Sequence, residues 1–193
     1  MAAPNPSRRL AEFVGAALLD AAVVGSGMMG AALSDDRAVV LRVNAGATVA
    51  DLGVLSWVLG PIYGAHFKPC VTGVEMARRE ISVPLGAAYV AVQIGGGLAG
   101  VALANVMFGL AAWHPSTNVR EGAGIWLGEV VATAGLLLVI GAITRTGHGT
   151  LGPALVPAWI GSAYFFTAST SFANPAVTIG RSMTDTFTGI APS

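Results

Sequence analysis

Five stretches of this chain stay apolar long enough, about 20 helical residues or more, to cross the roughly 30 Å hydrocarbon core of a bilayer. They run approximately Leu10–Leu33, Val39–Pro61, Val83–Leu110, Ile125–Thr144 and Leu151–Thr170. A chain patterned this way has few folds open to it. In lipid every backbone N–H and C=O must be paired inside the protein, so spans of this kind are helices packed side by side. Charge agrees: only 10% of the 193 residues are charged, against about 25% in an ordinary soluble domain. The expected fold class is therefore an all-α membrane protein. The spans are rich in glycine, with 26 in the chain, and small residues let helix backbones approach closely where no hydrophobic effect drives them together.

The same counts exclude several functions. Lys plus Arg equals Asp plus Glu, at ten each, which leaves no basic footprint for nucleic acid. Cys70 is the single cysteine, so neither an intramolecular disulfide nor a cysteine metal cluster is available. The histidines His66, His114 and His148 are widely spaced, and no metal or cofactor site is expected. There is no nucleophile–base pair and no phosphate-cradling loop, so an enzyme is not expected either. The polar start, Met1 to Arg9, leads into an apolar run without a cleavage site and reads as a first span rather than a removed signal.

Two segments are neither clean spans nor ordinary loops: residues 63–73, with His66, Lys68, Pro69 and Cys70, and residues 169–181, with Asn174, Pro175 and Ala176. Each places a polar residue before a proline and a short run able to be helical. Proline suits the first helical turn, so each reads as an extended stretch entering a half-helix. The chain also repeats itself. Ala11-Glu12-Phe13-Val14 resembles Gly128-Glu129-Val130-Val131, and Lys68-Pro69-Cys70-Val71-Thr72 resembles Asn174-Pro175-Ala176-Val177-Thr178. The expectation is one channel domain over 1–193, with a first repeat at about 10–110 and a second, incomplete one at about 123–193. A repeat with an odd number of spans inverts its topology, a common plan in channels. With a cytoplasmic N-terminus the inner side carries Arg8, Arg9, Arg78, Arg79 and Arg145, a narrow majority under the positive-inside rule.

At the two boxes the sequence resembles the major intrinsic protein family, the aquaporins and aquaglyceroporins. Gly64 to Thr72 is similar to that family's first Asn-Pro-Ala box with its flanks, and Ser171 to Thr178 to the second. The stretch from Thr167 to Pro192 resembles a narrower branch, bacterial aquaglyceroporins associated with arsenic resistance. The resemblance implies an inverted-repeat bundle whose two re-entrant half-helices meet N-terminus to N-terminus at mid-membrane, where their dipoles disfavour cations. It implies a multi-pass protein of the inner (plasma) membrane and a homotetramer. It further implies that the box asparagine caps its half-helix and offers a hydrogen bond to solute. Glu12 and Glu129, with His66, are expected to brace the half-helix loops.

The departures from the family pattern carry information. Lys68 stands in the place of the first asparagine, and an ammonium cannot accept a capping hydrogen bond. Near the midplane its charge costs roughly 2.5–3.5 kcal/mol on insertion scales. Either it snorkels sideways or is neutral, or it pairs with a carboxylate, Asp51 before Asp20. Either aspartate could equally bond to nearby backbone. Family offsets place a filter at Thr48, Ser162, Ser171 and Val177. Val177 replaces the arginine of water-selective members, so a wide, uncharged, hydroxyl-lined filter is expected, with Arg181 solvated. Cys70 stands where the family has alanine, as a reactive thiol near the pore or a packed hydrophobe. A sixth span after the second half-helix is absent from the sequence, through truncation or because another subunit supplies it. The expected function is a passive channel for small neutral solutes: glycerol-like polyols, neutral trihydroxy-arsenic species and water. The alternative is a non-conducting or truncated relative whose pore Lys68 blocks or alters.

Overall fold

The computed structural model describes residues 6–191. They form long helices α1 (Pro6–Leu33), α2 (Arg37–Tyr63), α4 (Val83–Met107) and α5 (Ala123–Arg145), a shorter α6 (Gly152–Phe166), and half-helices α3 (Pro69–Ala77) and α7 (Pro175–Arg181). No strand occurs among the described residues. The order of long helix, second helix and half-helix appears twice, as α1–α2–α3 and as α5–α6–α7.

Local chemistry sets the boundaries. Asp36 caps α2, its Oδ1 accepting from the Ala38 N–H at 2.8 Å, and Gly64 ends that helix with φ 104, a conformation glycine adopts freely. A proline stands in the first turn of both half-helices, where the missing N–H costs nothing. Among the described residues, four helices are long and apolar enough to cross a membrane. The fifth stretch differs from expectation: α6 is helical for only 15 residues. At Thr167 the backbone turns extended (φ -105, ψ 142), and the Thr167 hydroxyl bonds back to the Ala163 carbonyl at 2.8 Å. The chain leaves the helix there to enter the second half-helix loop.

α1 is the centre of the packing, lying against α2 and α4, while α6 joins α2 to α5 and α7 rests on α4. The α1–α4 contact runs along Gly96 and Gly100. A methyl group at Gly100 would overlap the Ala17 carbonyl, which is helix backbone and cannot give way. The core gathers Leu19, Leu52, Phe67, Leu136 and Ile160. Leu18, Val54, Trp57, Leu138 and Phe165 are exposed on the outside, as lipid-facing side chains should be. No helix follows α7 among the described residues. Residues 182–191 fold back on residues 112–121: Ser116 N donates to Ser182 O, and Ala191 N to Asn118 O.

Candidate functional site

The two half-helix loops are held by one device used twice. Ala65 and Phe67 in the first loop, and Thr170, Ser171 and Ala173 in the second, all have positive φ. Non-glycine residues there cost of order 1–3 kcal/mol each and persist only when their surroundings fix them. Glu12 does so in the first loop, accepting from His66 N at 2.9 Å and Phe67 N at 3.1 Å. Glu129 does so in the second, accepting from Phe172 N at 2.9 Å and Ala173 N at 2.8 Å. Gln93 of α4, whose only mark in the sequence is that it is a polar residue in a span, donates to Glu12 at 2.7 Å and to Thr72 at 3.0 Å. His66 completes this network through Nδ1 and the Thr72 hydroxyl, 3.1 Å apart.

The boxes meet. Asn174 Oδ1 accepts from Ala176 N at 3.1 Å, capping α7. Its Nδ2 donates to the Phe67 carbonyl at 2.9 Å, immediately before Lys68. One of the two amide N–H groups is therefore tied to the opposite loop. Lys68 occupies the cap position of α3 (φ -138, ψ 125) without a side-chain cap bond, as a group with no acceptor must.

Lys68 is only 4% exposed, and it stands where two cavities meet. On one side is a vestibule of about 780 Å³, whose wall includes Ser56, His66, Glu75 and Val156. On the other is a constriction of about 20 Å³. The expected ion pairs do not form: no carboxylate oxygen of Asp51 or Asp20 comes within 4.0 Å of the Lys68 amine. The reason is direction. Lys68 lines both cavities, whereas Asp51 and Asp20 line neither. Asp20 lies behind the wall, its Oδ2 in the space left by the absent side chain of Gly97. Neither of its carboxylate oxygens has a hydrogen-bond partner among the described residues.

The constriction is not the wide, uncharged filter the family offsets implied. Thr48, Ser171 and Val177 do line it, but Ser162 is exposed on α6. Tyr164, two residues further along and so on another face of the helix, lines it instead, and its hydroxyl donates to Thr48 at 3.1 Å. Arg181 also lines it and is 4% exposed rather than solvated. Its Nε donates to the Thr188 carbonyl, and its guanidinium lies 4.1 Å from the centre of the Phe172 ring, a stacked cation–π arrangement. The returning segment 182–191 makes this seat, so nothing within the helix itself marks it. Cys70 is half-buried and lines neither cavity, and Pro69 and Pro175 serve as helix starts.

At the mouth beyond Arg181 the two folded-back segments are clamped. Thr117 N and Oγ1 donate to Asp185 at 2.9 and 3.0 Å. Arg120 donates to the Gly189 and Phe187 carbonyls at 3.0 and 2.7 Å.

Comparison with known proteins agrees with this geometry. Residues 3–173 match the family described as Major intrinsic protein. The chain belongs to that family. It is 49% identical over 185 residues to aquaglyceroporin AqpS of Rhizobium meliloti (strain 1021), covering 96% of this chain and 79% of the relative. It is 28% identical over 166 residues to the lens fiber major intrinsic protein of Gallus gallus, covering 77% of this chain and 57% of that one. Among solved structures, the aquaglyceroporin from Plasmodium falciparum superposes with a TM-score of 0.68 at 18% identity, over 90% of this chain and 78% of that one. The chain is thus a multi-pass membrane protein with the aquaporin-like fold, from a family of channels.

Proposed function

We propose that this chain is a passive channel for small neutral solutes, with polyols such as glycerol, neutral trihydroxy-arsenic species and water as its range. The observation that carries this reading is the path itself: a wide vestibule, a single lining lysine, then a narrow hydroxyl-bearing constriction, with the half-helices tied across it by Asn174. Family membership and the 49% identity to an aquaglyceroporin support it.

The physics follows from the groups in the path. A polyol entering the vestibule loses water and needs hydrogen bonds in return. The Lys68 amine offers donors, while the Thr48, Tyr164 and Ser171 hydroxyls can donate or accept. Cations meet Lys68 and Arg181 in succession and are repelled. Apolar walls, among them Leu52 and Val177, keep the site count low, so binding stays weak enough for release. A plugged, non-conducting pore is the less favoured reading, because Lys68 faces open space on both sides rather than a partner. We place the protein in the inner (plasma) membrane with a cytoplasmic N-terminus and as a homotetramer, in keeping with family resemblance. The two glutamates and His66 are braces, and Thr48, Ser171 and Val177 with Tyr164 and Arg181 form the filter.

The direct test is glycerol-driven swelling of proteoliposomes holding the purified chain. Swelling faster than that of protein-free vesicles is expected, and rates indistinguishable from them would sink the proposal.

A further inference from the structure

Lys68 is the single lysine of the sequence, and the other nine of its ten Lys and Arg residues are arginines. A guanidinium stays protonated in proteins, so none of those nine can act as an amine nucleophile. The one side-chain amine of the chain is thus also a lumen group, 4% exposed and lining both cavities. It takes part in no hydrogen bond or ion pair among the described residues. Cys70, Glu129 and Asp20 act on its charge only through space. Glu129 has given its oxygens to Phe172 N and Ala173 N, and Glu12 is held by the first loop and Gln93. Asp20 lies behind the wall. No contact therefore fixes the protons of this amine, and a lysine desolvated in an apolar pocket is an activated nucleophile.

The cavity in front of this amine suits a small carbonyl compound. The vestibule of about 780 Å³ falls within the roughly 300–1,000 Å³ of small-molecule sites. It opens to the surface, since Glu80, Thr144 and Thr150 of its wall are exposed. Leu136 and Ile140 give it an apolar side, while the Ser56, Thr144 and Thr150 hydroxyls can bond to those of a polyhydroxy solute. A small polyol and its aldehyde differ little in size and polarity, so a path that admits the first admits the second. At Lys68 the aldehyde can react. The neutral amine attacks the carbonyl carbon, a C–N bond forms, and the oxygen takes a proton from nitrogen to give a carbinolamine. Loss of water, which carries off that oxygen and the second N–H proton, leaves a C=N bond. Nothing is oxidised or reduced, and the step reverses when water adds back.

We infer that Lys68 is a covalent attachment site for small neutral aldehydes, of the glycolaldehyde or glyceraldehyde class, which it holds as a reversible imine. The inference rests on the pore reading above for the kind of solute that reaches the amine. An adduct there stands in the path of neutral solutes and slows them.

The test uses the full chain in two settings. In detergent at neutral pH, the purified protein is incubated with glycolaldehyde and sodium cyanoborohydride, whose hydride reduces the imine to a stable secondary amine. Peptide mass spectrometry separates an adduct on Lys68 from one on the N-terminal amine. Nα-acetyl-lysine amide in the same detergent supplies the rate of an unburied amine. Lys68 is expected to label about tenfold or more faster than that reference, as activation by desolvation requires. No adduct on Lys68, or a rate no greater than the reference, overturns the inference. The treated protein is then placed in proteoliposomes, and its glycerol swelling is compared with that of protein carried through the same steps without aldehyde. Treated wild type is expected to swell more slowly, whereas Lys68→Gln, whatever its own rate, swells alike with and without treatment. Treated wild type that swells as fast as untreated, conducting protein overturns the inference, as does equal slowing of Lys68→Gln. Should that variant fail to fold, the labelling rate and the wild-type swelling still decide. Labelling without any glycerol swelling in untreated vesicles would discard the neutral-solute reading and keep the attachment site. Swelling without labelling would do the reverse.

Discussion

The side chains that hold this pore open are mostly not the ones that touch a solute. Glu129 accepts from two consecutive backbone N–H groups in a loop with three positive-φ residues. Removing it leaves both N–H groups short of a partner, which costs about 1–3 kcal/mol apiece. Glu129→Ala is therefore expected to lower stability by about 2–6 kcal/mol, and Glu129→Gln by less, because one acceptor oxygen remains. Reversible unfolding in mixed micelles would measure both. At the mouth, Thr117's backbone N–H, then its hydroxyl, hold the Asp185 carboxyl below its ordinary value of 3.8. A folded value below the unfolded one means this stabilisation is complete above the unfolded value and fades as pH falls through the folded one. Thermal unfolding of wild type and Asp185→Asn should differ near pH 6, and the difference should shrink toward zero below pH 3.8.

At the scale of elements, the proline-led boxes and the four long spans were legible in the sequence because each has a local cause: a residue that starts a helix, or an apolar run that needs lipid. The end of α6 was not legible. Residues 167–170 are small and only mildly polar, so hydropathy runs on through a backbone that has already turned away. The burial of Arg181 leaves no trace in the sequence for a related reason. Its acceptor, the Thr188 carbonyl, arrives from a returning loop, and such a seat leaves no periodic mark. Tyr164 rather than Ser162 lines the constriction because a family offset fixes a position but not the helical phase, and two residues turn the side chain to another face. The α1–α4 seam was readable only as glycine content. Its register makes a sharp prediction: Gly100→Val should prevent close packing against Ala17, and should lower the melting temperature more than Gly124→Val, where the surrounding space is open. Detergent thermal-shift measurement compares them.

On the scale of the whole molecule, Lys68 joins two properties that a single substitution separates. Lys68→Asn supplies an acceptor at the uncapped start of α3, a gain of about 1 kcal/mol by analogy with other helix caps, and it removes a bulky cation from the lumen. Both the melting temperature and the rate of glycerol swelling are expected to rise. A rise in stability with unchanged swelling would mean that Lys68 does not limit passage. The tie between Asn174 and the Phe67 carbonyl has a consequence of another kind. It spans 107 positions of the chain, so during synthesis the first re-entrant loop reaches the membrane long before its counterpart exists. Glu12 can anchor that loop early, but its final seat waits for residue 174 to leave the ribosome. Biogenesis of the lumen is therefore a late, all-at-once closure, in which a nascent chain arrested before the second box has most of its helices and no finished passage.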